Sequence, residues 1–187
     1  MQDYVIVVNA SDEEMGREEK LRAHRTPVLH RAFSVFVFDE RGAMLVQRRA
    51  DGKYHSAGLW SNACCGHPRP GEEVIAAGGR RLREEMGITC PLVAAGTVSY
   101  SIEVGGGLRE DEFNHVLFGS FSGEPRPDPS EVSSWRWMTP ADVQAALRDT
   151  PCPFTPWFPL VLAQWRAWTD GHPAAVPPAA RRAWQPT

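Results

Sequence analysis

The stretch that most constrains this chain is residues 60–88, WSNACCGHPRPGEEVIAAGGRRLREEMGI. A cysteine pair and a histidine run into a Gly/Pro turn, and an acidic, arginine-rich segment follows. Glu72 to Met86 predicts a helix. Pro70-Gly71 precedes it, Gly87 stops it, and Val74, Ala77, Gly78, Leu82 and Met86 recur at helical spacing as a packing face. Position 81, Glu84 and Glu85 then fall on neighbouring turns, since residues three and four apart share a helix face. Carboxylates grouped this way suit a hard divalent cation held against phosphate oxygens. REEMG on its own reads as a solvated helix face. The wider spacing argues against that reading: Gly66, five residues, Glu72, seven residues, Arg80, then Leu82, Glu84, Glu85, Gly87 and Ile88.

Around this stretch the chain alternates strand and helix signals. Tyr4 to Val8 is a β-rich apolar run, and residues 10–20 are polar enough for a loop or short helix. Pro27 ends any helix over Lys20 to Arg25. Arg31 to Phe38 predicts a central strand, and Ala43 to Arg49 its hairpin partner across Asp39-Glu40-Arg41-Gly42. A loop fills 50–62. Leu92 to Val104 and Glu112 to Phe121 predict a strand pair around Gly105-Gly106-Gly107, with a Pro/Gly/Asp loop at 122–130 and a short strand at Trp135 to Met138. Thr139-Pro140 and Thr155-Pro156 start two further helices, the last spanning Trp157 to Asp170. The mixture predicts an α+β fold or an α/β sandwich, a mixed sheet flanked by helices. We expect one domain over 1–170 and a loosely ordered Pro/Ala-rich tail over 171–187.

Bulk properties exclude several classes. The 187 residues suffice for a sizeable core, and a net charge of −3 gives no general pull toward nucleic acid or anionic membrane. An anionic ligand therefore needs a local basic cluster. The N-terminal stretch lacks the basic region of a signal peptide, and no apolar run is long enough to span a bilayer. Four cysteines without a CxxC predict neither a disulfide framework nor a zinc knuckle, and a reduced, cytoplasmic protein is expected.

The spacing from Gly66 to Ile88 resembles the Nudix signature at every fixed position except one. Arg81 stands where that family has a glutamate. A guanidinium there removes a metal ligand and offers a bidentate phosphate donor, so diphosphate binding is expected to survive while hydrolysis is not. With LHRAF at 29–33, CCGHP at 64–68, REDEF at 109–113 and FTPW at 154–157, the chain resembles the type I isopentenyl-diphosphate isomerases, over about residues 4 to 165. The resemblance implies Cys65 and Glu112 as the catalytic pair, Tyr100 as an orienting or relaying group, and Trp157 over the reacting carbons. It implies a His3Glu2 site of His24, His30, His67, Glu110 and Glu112 for Mn²⁺ or Zn²⁺, and Mg²⁺ near Glu85. Lys20, Arg49, Lys53 and Arg81 match the basic residues at the diphosphate end. The implied partner is a small isoprenoid diphosphate, with neither nucleic acid nor membrane, and a monomer or weak homo-oligomer.

Each residue also has a plainer reading. A lone histidine is usually structural, Trp157 could be core, and Lys20 and Lys53 could be solvated lysines. Cys64 should face away from Cys65 in extended backbone and pack. His55, His115 and His172 match no ligand of the resembled family. A Nudix hydrolase and a non-catalytic binding domain are the competing functions. The first conflicts with Arg81, and both leave Cys65 and Glu112 without work.

Overall fold

The computed structural model describes residues 3–149 and 152–184. The chain begins with β1 (Tyr4–Val8), β2 (Glu14–Glu19), α1 (Lys20–Arg25), β3 (His30–Phe38) and β4 (Met44–Arg49). Next come β5 (Trp60–Asn62), β6 (Cys64–Gly66), α2 (Val74–Met86), β7 (Val93–Gly105) and β8 (Leu108–Ser120). It closes with β9 (Val132–Met138), α3 (Pro140–Leu147), α4 (Phe158–Gly171) and α5 (Pro178–Trp184). The predicted mixed sheet with flanking helices is what forms.

β3 is the centre, as its aromatic and β-branched residues predict. It pairs in parallel with β8 over nine residues, His30 opposite Glu112 through Phe38 opposite Ser120. It pairs antiparallel with β6, placing Ser34 opposite Cys65. β7 and β8 form a long hairpin that puts Tyr100 opposite Glu112. Because strand residues alternate between faces, β3 feeds two cores. Phe36 and Phe38 pack with Phe158 and Trp165 of α4, while Phe33, Val35 and Val37 pack with Leu82 and Met86 of α2. The sheet is thus sandwiched between α2 and α4. The helix boundaries follow local chemistry. Gly87 closes α2 in the left-handed conformation, and Thr139 with Asp142 forms a capping box on α3.

Three expectations change. Residues 14–19 form a strand, β2, because the exposed amides of β1 offer it a partner. The hairpin between β3 and β4 opens after one pair, Phe38 with Met44, and β4 instead joins β9 and β5. Asp39 tightens the turn between them: its Oδ1 accepts from the amides of Arg41 and Ala43 at 2.9 and 2.8 Å. The stretch after α4 is not loose up to residue 184. In α5 Trp184 is buried against Phe38 and Trp165 and donates from Nε1 to the carbonyl of Gly42 at 3.0 Å. Gly42 is needed there. A Cβ at that position would stand 2.5 Å from the Ala179 carbonyl oxygen, and its φ is +85°. Trp184→Ala is expected to lower stability by about 3 kcal/mol through the cavity it leaves. Urea unfolding checks this, and an unchanged midpoint would show that α5 contributes no core.

Candidate active site

Strand register gathers the site on the α4 face of the sheet. Glu110, Glu112 and Asn114 alternate along β8, and the pairings bring His30, Tyr100, Ser34 and Cys65 to the same side. α1 delivers His24, and the turn after β6 delivers His67. Ligand atoms of His24, His30, His67 and Glu110 all lie within 4.8 Å of one another. His24 Nε2 is 2.9 Å from Glu110 Oε2, and His30 Nε2 is 3.2 Å from His67 Nε2. Donors bound at about 2.1 Å to one ion stand roughly 3.0–3.4 Å apart, so these spacings fit a single cation.

The surroundings fit a cation too. His24 Nδ1 donates to the Lys20 carbonyl at 2.6 Å and His30 Nδ1 to the Val28 carbonyl at 2.8 Å, which turns both Nε2 atoms inward. His24 Nε2 and Glu110 Oε2 are buried without a directed hydrogen bond, despite their short separation. Burial pushes His30 and His67 down, so both are held neutral. Burial also opposes charge on His24 and Glu110. For both, the closeness of the other wins: His24 is raised, and Glu110, with His55 Nε2 also 3.1 Å away, stays well below the usual carboxylate range. Three imidazoles around one carboxylate, two of them held neutral by burial, form a donor set for a divalent metal. Glu112 Oε1 reaches this group at 3.3 Å from His67 Nε2.

Glu112 also faces the cavity. Its Oε2 accepts from Tyr100, and from Asn114 Nδ2 at 2.9 Å. Burial and the neighbouring charge of Glu110 push the Glu112 carboxyl well up. Cys65 lines the same cavity. Burial pushes its thiol up to about 11, Sγ donates to Asn62 Oδ1 at 3.2 Å, and Ser34 Oγ lies 3.5 Å away. Cys64 turns to the opposite core, as extended backbone requires. Trp157, at the start of α4, is 4% exposed and closes another wall.

One cavity of about 230 Å³ joins these groups to a basic end. Lys20, Arg49, Lys53, Arg81 and Glu85 line it with Cys65, His67, Tyr100, Glu110, Glu112 and Trp157, while His24 and His30 are fully buried beside it. Gly66 lets the two ends meet. A Cβ there would lie 3.2 Å from Phe33 Cζ and 3.5 Å from Arg81 Cγ. Arg81 extends along α2 to Glu84 at 2.8 Å and Glu85 at 2.6 Å. Glu72 and Arg80 staple the preceding turn to the helix at 2.7 Å. Arg49 sits 5.4 Å over the Trp157 ring and donates to the His55 carbonyl at 3.2 Å.

Sequence reasoning missed several neighbours. His55 is buried, with Nε2 3.1 Å from Glu110 Oε1 and its ring edge-on to Trp157. No local signal marks it, because its loop is folded in by long-range contacts. Asn114 could have been found, since it lies two residues beyond Glu112 on the same strand face. His115 sits on the opposite strand face, bonded to Asp12 at 2.9 Å, and His172 stacks on Trp168. All four cysteines are free, and no helix among the described residues is long and apolar enough to cross a membrane.

Comparison with known proteins shows the family. The chain matches the NUDIX domain over residues 28–158. It is 50% identical over 159 residues to "Isopentenyl-diphosphate Delta-isomerase" of Streptomyces griseus subsp. griseus, covering 83% of this chain and 80% of that protein. It is 48% identical over 157 residues to "Isopentenyl-diphosphate Delta-isomerase 1" of Aromatoleum aromaticum, covering 84% and 89%. Among solved structures, a Deinococcus radiodurans protein superposes with a TM-score of 0.72 at 18% identity, covering 87% of this chain and 99% of that one. A MutT protein from Methanosarcina mazei gives 0.59 at 18% identity, covering 76% and 94%. At such identities the structures show the fold alone.

Proposed function

The chain belongs to the Nudix family, among its isopentenyl-diphosphate Delta-isomerases, and we infer that Glu112 and Cys65 carry its reaction. It is an isomerase that interconverts isopentenyl and dimethylallyl diphosphate, a step of isoprenoid biosynthesis. The reaction adds a proton to the terminal alkene carbon and removes one from the methylene nearer the diphosphate. An acid and a base must therefore flank the same few carbons. The observation that carries the assignment is one cavity lined by both Glu112, fixed by Tyr100 and Asn114, and the Cys65 thiol, fixed by Asn62.

Glu112 gives its proton to the terminal carbon. Cys65 rests as a thiol, so its proton passes to solvent before the substrate closes the cavity, and the thiolate then takes the proton from the methylene, with the Ser34 hydroxyl 3.5 Å from the sulfur. The roles exchange in the back reaction. Tyr100 and Asn114 hold the Glu112 carboxyl in place through Oε2. Trp157 presents its ring to the tertiary cation between the two steps. Such a contact is worth about 2 kcal/mol when desolvated, whereas enzymes lower barriers by roughly 8 kcal/mol or more. Positioning of the acid and base and exclusion of water must supply the rest.

Lys20, Arg49, Lys53 and Arg81 hold the diphosphate, remote from the reacting carbons, so its binding energy serves orientation. Glu85 would hold Mg²⁺ at that end. His24, His30, His67 and Glu110, with Glu112, would hold Mn²⁺ or Zn²⁺. A cation there supplies positive charge that keeps Glu110 ionised and tunes the acidity of Glu112. We read the protein as a cytoplasmic enzyme of a small molecule, a monomer or weak homo-oligomer, with no nucleic-acid partner.

Incubation with isopentenyl diphosphate and Mg²⁺ in D₂O tests this. The expected result is deuterium in the carbon skeleton with no phosphate release. Phosphate release without carbon exchange would overturn the isomerase in favour of a hydrolase. Neither change would leave a binding domain.

A further inference from the structure

The basic end of the cavity already contains carboxylates: Glu84 and Glu85 meet Arg81 from its own helix, and Glu131 meets both Arg81 and Lys53. Glu131, just before β9, points its carboxylate between two of the groups assigned to the diphosphate. Lys53 Nζ donates to its Oε2, and Arg81 Nη2 to its Oε1 at 3.3 Å. One carboxylate therefore bridges an ammonium and a guanidinium with separate oxygens, as a diphosphate would. Its side chain is 24% exposed and lines the cavity.

The backbone fixes this placement. The Glu131 amide donates to the Asp128 carbonyl at 3.0 Å, and the Asp128 amide donates to the Glu85 carbonyl at 2.9 Å. On the other side the Ala50 amide donates to the Glu131 carbonyl at 3.0 Å, and the Lys53 amide donates to the Ala50 carbonyl at 3.2 Å. The end of α2 and the loop bearing Lys53 are thus tied to the same residue. This rigidity separates Glu131 from an incidental surface partner. Burial opposes its charge, but Lys53 and Arg81 outweigh burial and keep it ionised.

We propose that Glu131 is a built-in counter-ion that occupies Lys53 and Arg81 until a diphosphate displaces it, and so sets the charge a ligand must bring to be held. The proposal rests on the reading that Lys53 and Arg81 hold the diphosphate. A ligand with one negative charge gains little by replacing Glu131, because it exchanges one carboxylate-like contact for another. A diphosphate brings more charge and more oxygens to the same two cations. Glu131 is thereby a specificity-determining residue that weakens all anions and that a ligand of low charge cannot displace. It also favours release of product.

The test measures affinity, in which loss of fold cannot imitate gain. Inorganic pyrophosphate and inorganic phosphate are titrated calorimetrically into the full chain and into Glu131→Gln and Glu131→Ala, with and without Mg²⁺. KM for isopentenyl diphosphate is measured alongside. Removing one nearby unit charge in a partly solvated site should tighten pyrophosphate about tenfold and lower KM in parallel. The gain should persist without Mg²⁺, and phosphate should tighten as well. Unchanged or weaker pyrophosphate binding in both variants overturns the proposal. Lys53→Met separates the two layers. If it weakens pyrophosphate while the Glu131 variants do not tighten it, the counter-ion role fails alone. If Lys53→Met leaves pyrophosphate untouched, the diphosphate reading fails and takes the proposal with it.

Discussion

Glu112→Gln is expected to lose turnover by about 10³-fold while the protein keeps its fold and its affinity for inorganic pyrophosphate, the size that removal of a positioned general acid produces. The substitution is nearly isosteric. A glutamine oxygen can still accept from Tyr100 and Asn114, which hold the present carboxylate through Oε2. It has no transferable proton of carboxylic acidity. The basic end of the cavity is untouched, so binding and chemistry should separate. Deuterium incorporation from D₂O reads the first effect and pyrophosphate titration the second. Retention of more than a tenth of the turnover would remove Glu112 from the acid role.

Cys65→Ala is the second large effect, a loss of roughly 10²–10⁴-fold in turnover with KM little changed. The thiol is buried and its pKa stands near 11, so a merely structural cysteine would suit this position equally well. The geometry around it argues otherwise. Asn62 Oδ1 accepts from Sγ, while Asn62 Nδ2 is anchored to the carbonyls of Val35 at 3.1 Å and Cys64 at 2.7 Å, so the sulfur is aimed rather than free. Cys64→Ala is the matched control. It packs in the opposite core and meets Glu85 rather than the reacting carbons, so its effect should fall on stability and not on proton transfer. Equal loss of turnover from both variants would show that Cys65 only packs.

The two halves of residues 60–88 differ in how far the sequence explains them. The helix α2 was legible because its signals are local: helical spacing, a Gly/Pro entry and a glycine at its end, observed at φ +65°. The opposite facing of Cys64 and Cys65 followed from extended backbone alone. The role of Arg81 did not follow. Its guanidinium meets Glu84 and Glu85 on its own helix, which spacing allows, but also Glu131, fifty residues away, which only folding brings near.

The sequence by itself determined the order of the longer strands and helices, though not β2, β5, β6 or α5, together with the central place of β3, the altered box, and the residues the resemblance singles out. These depend on periodicity, turn chemistry and motif spacing, which act within a few residues of chain. Tertiary structure decided the rest: the parallel register that sets His30 beside Glu112, the turn that carries β4 away from β3, and the burial of Trp184. It also brought His55 to Glu110 and Glu131 to Lys53. Each is a contact between distant segments, fixed by which hydrophobic faces and backbone edges find partners, and no local pattern encodes that choice.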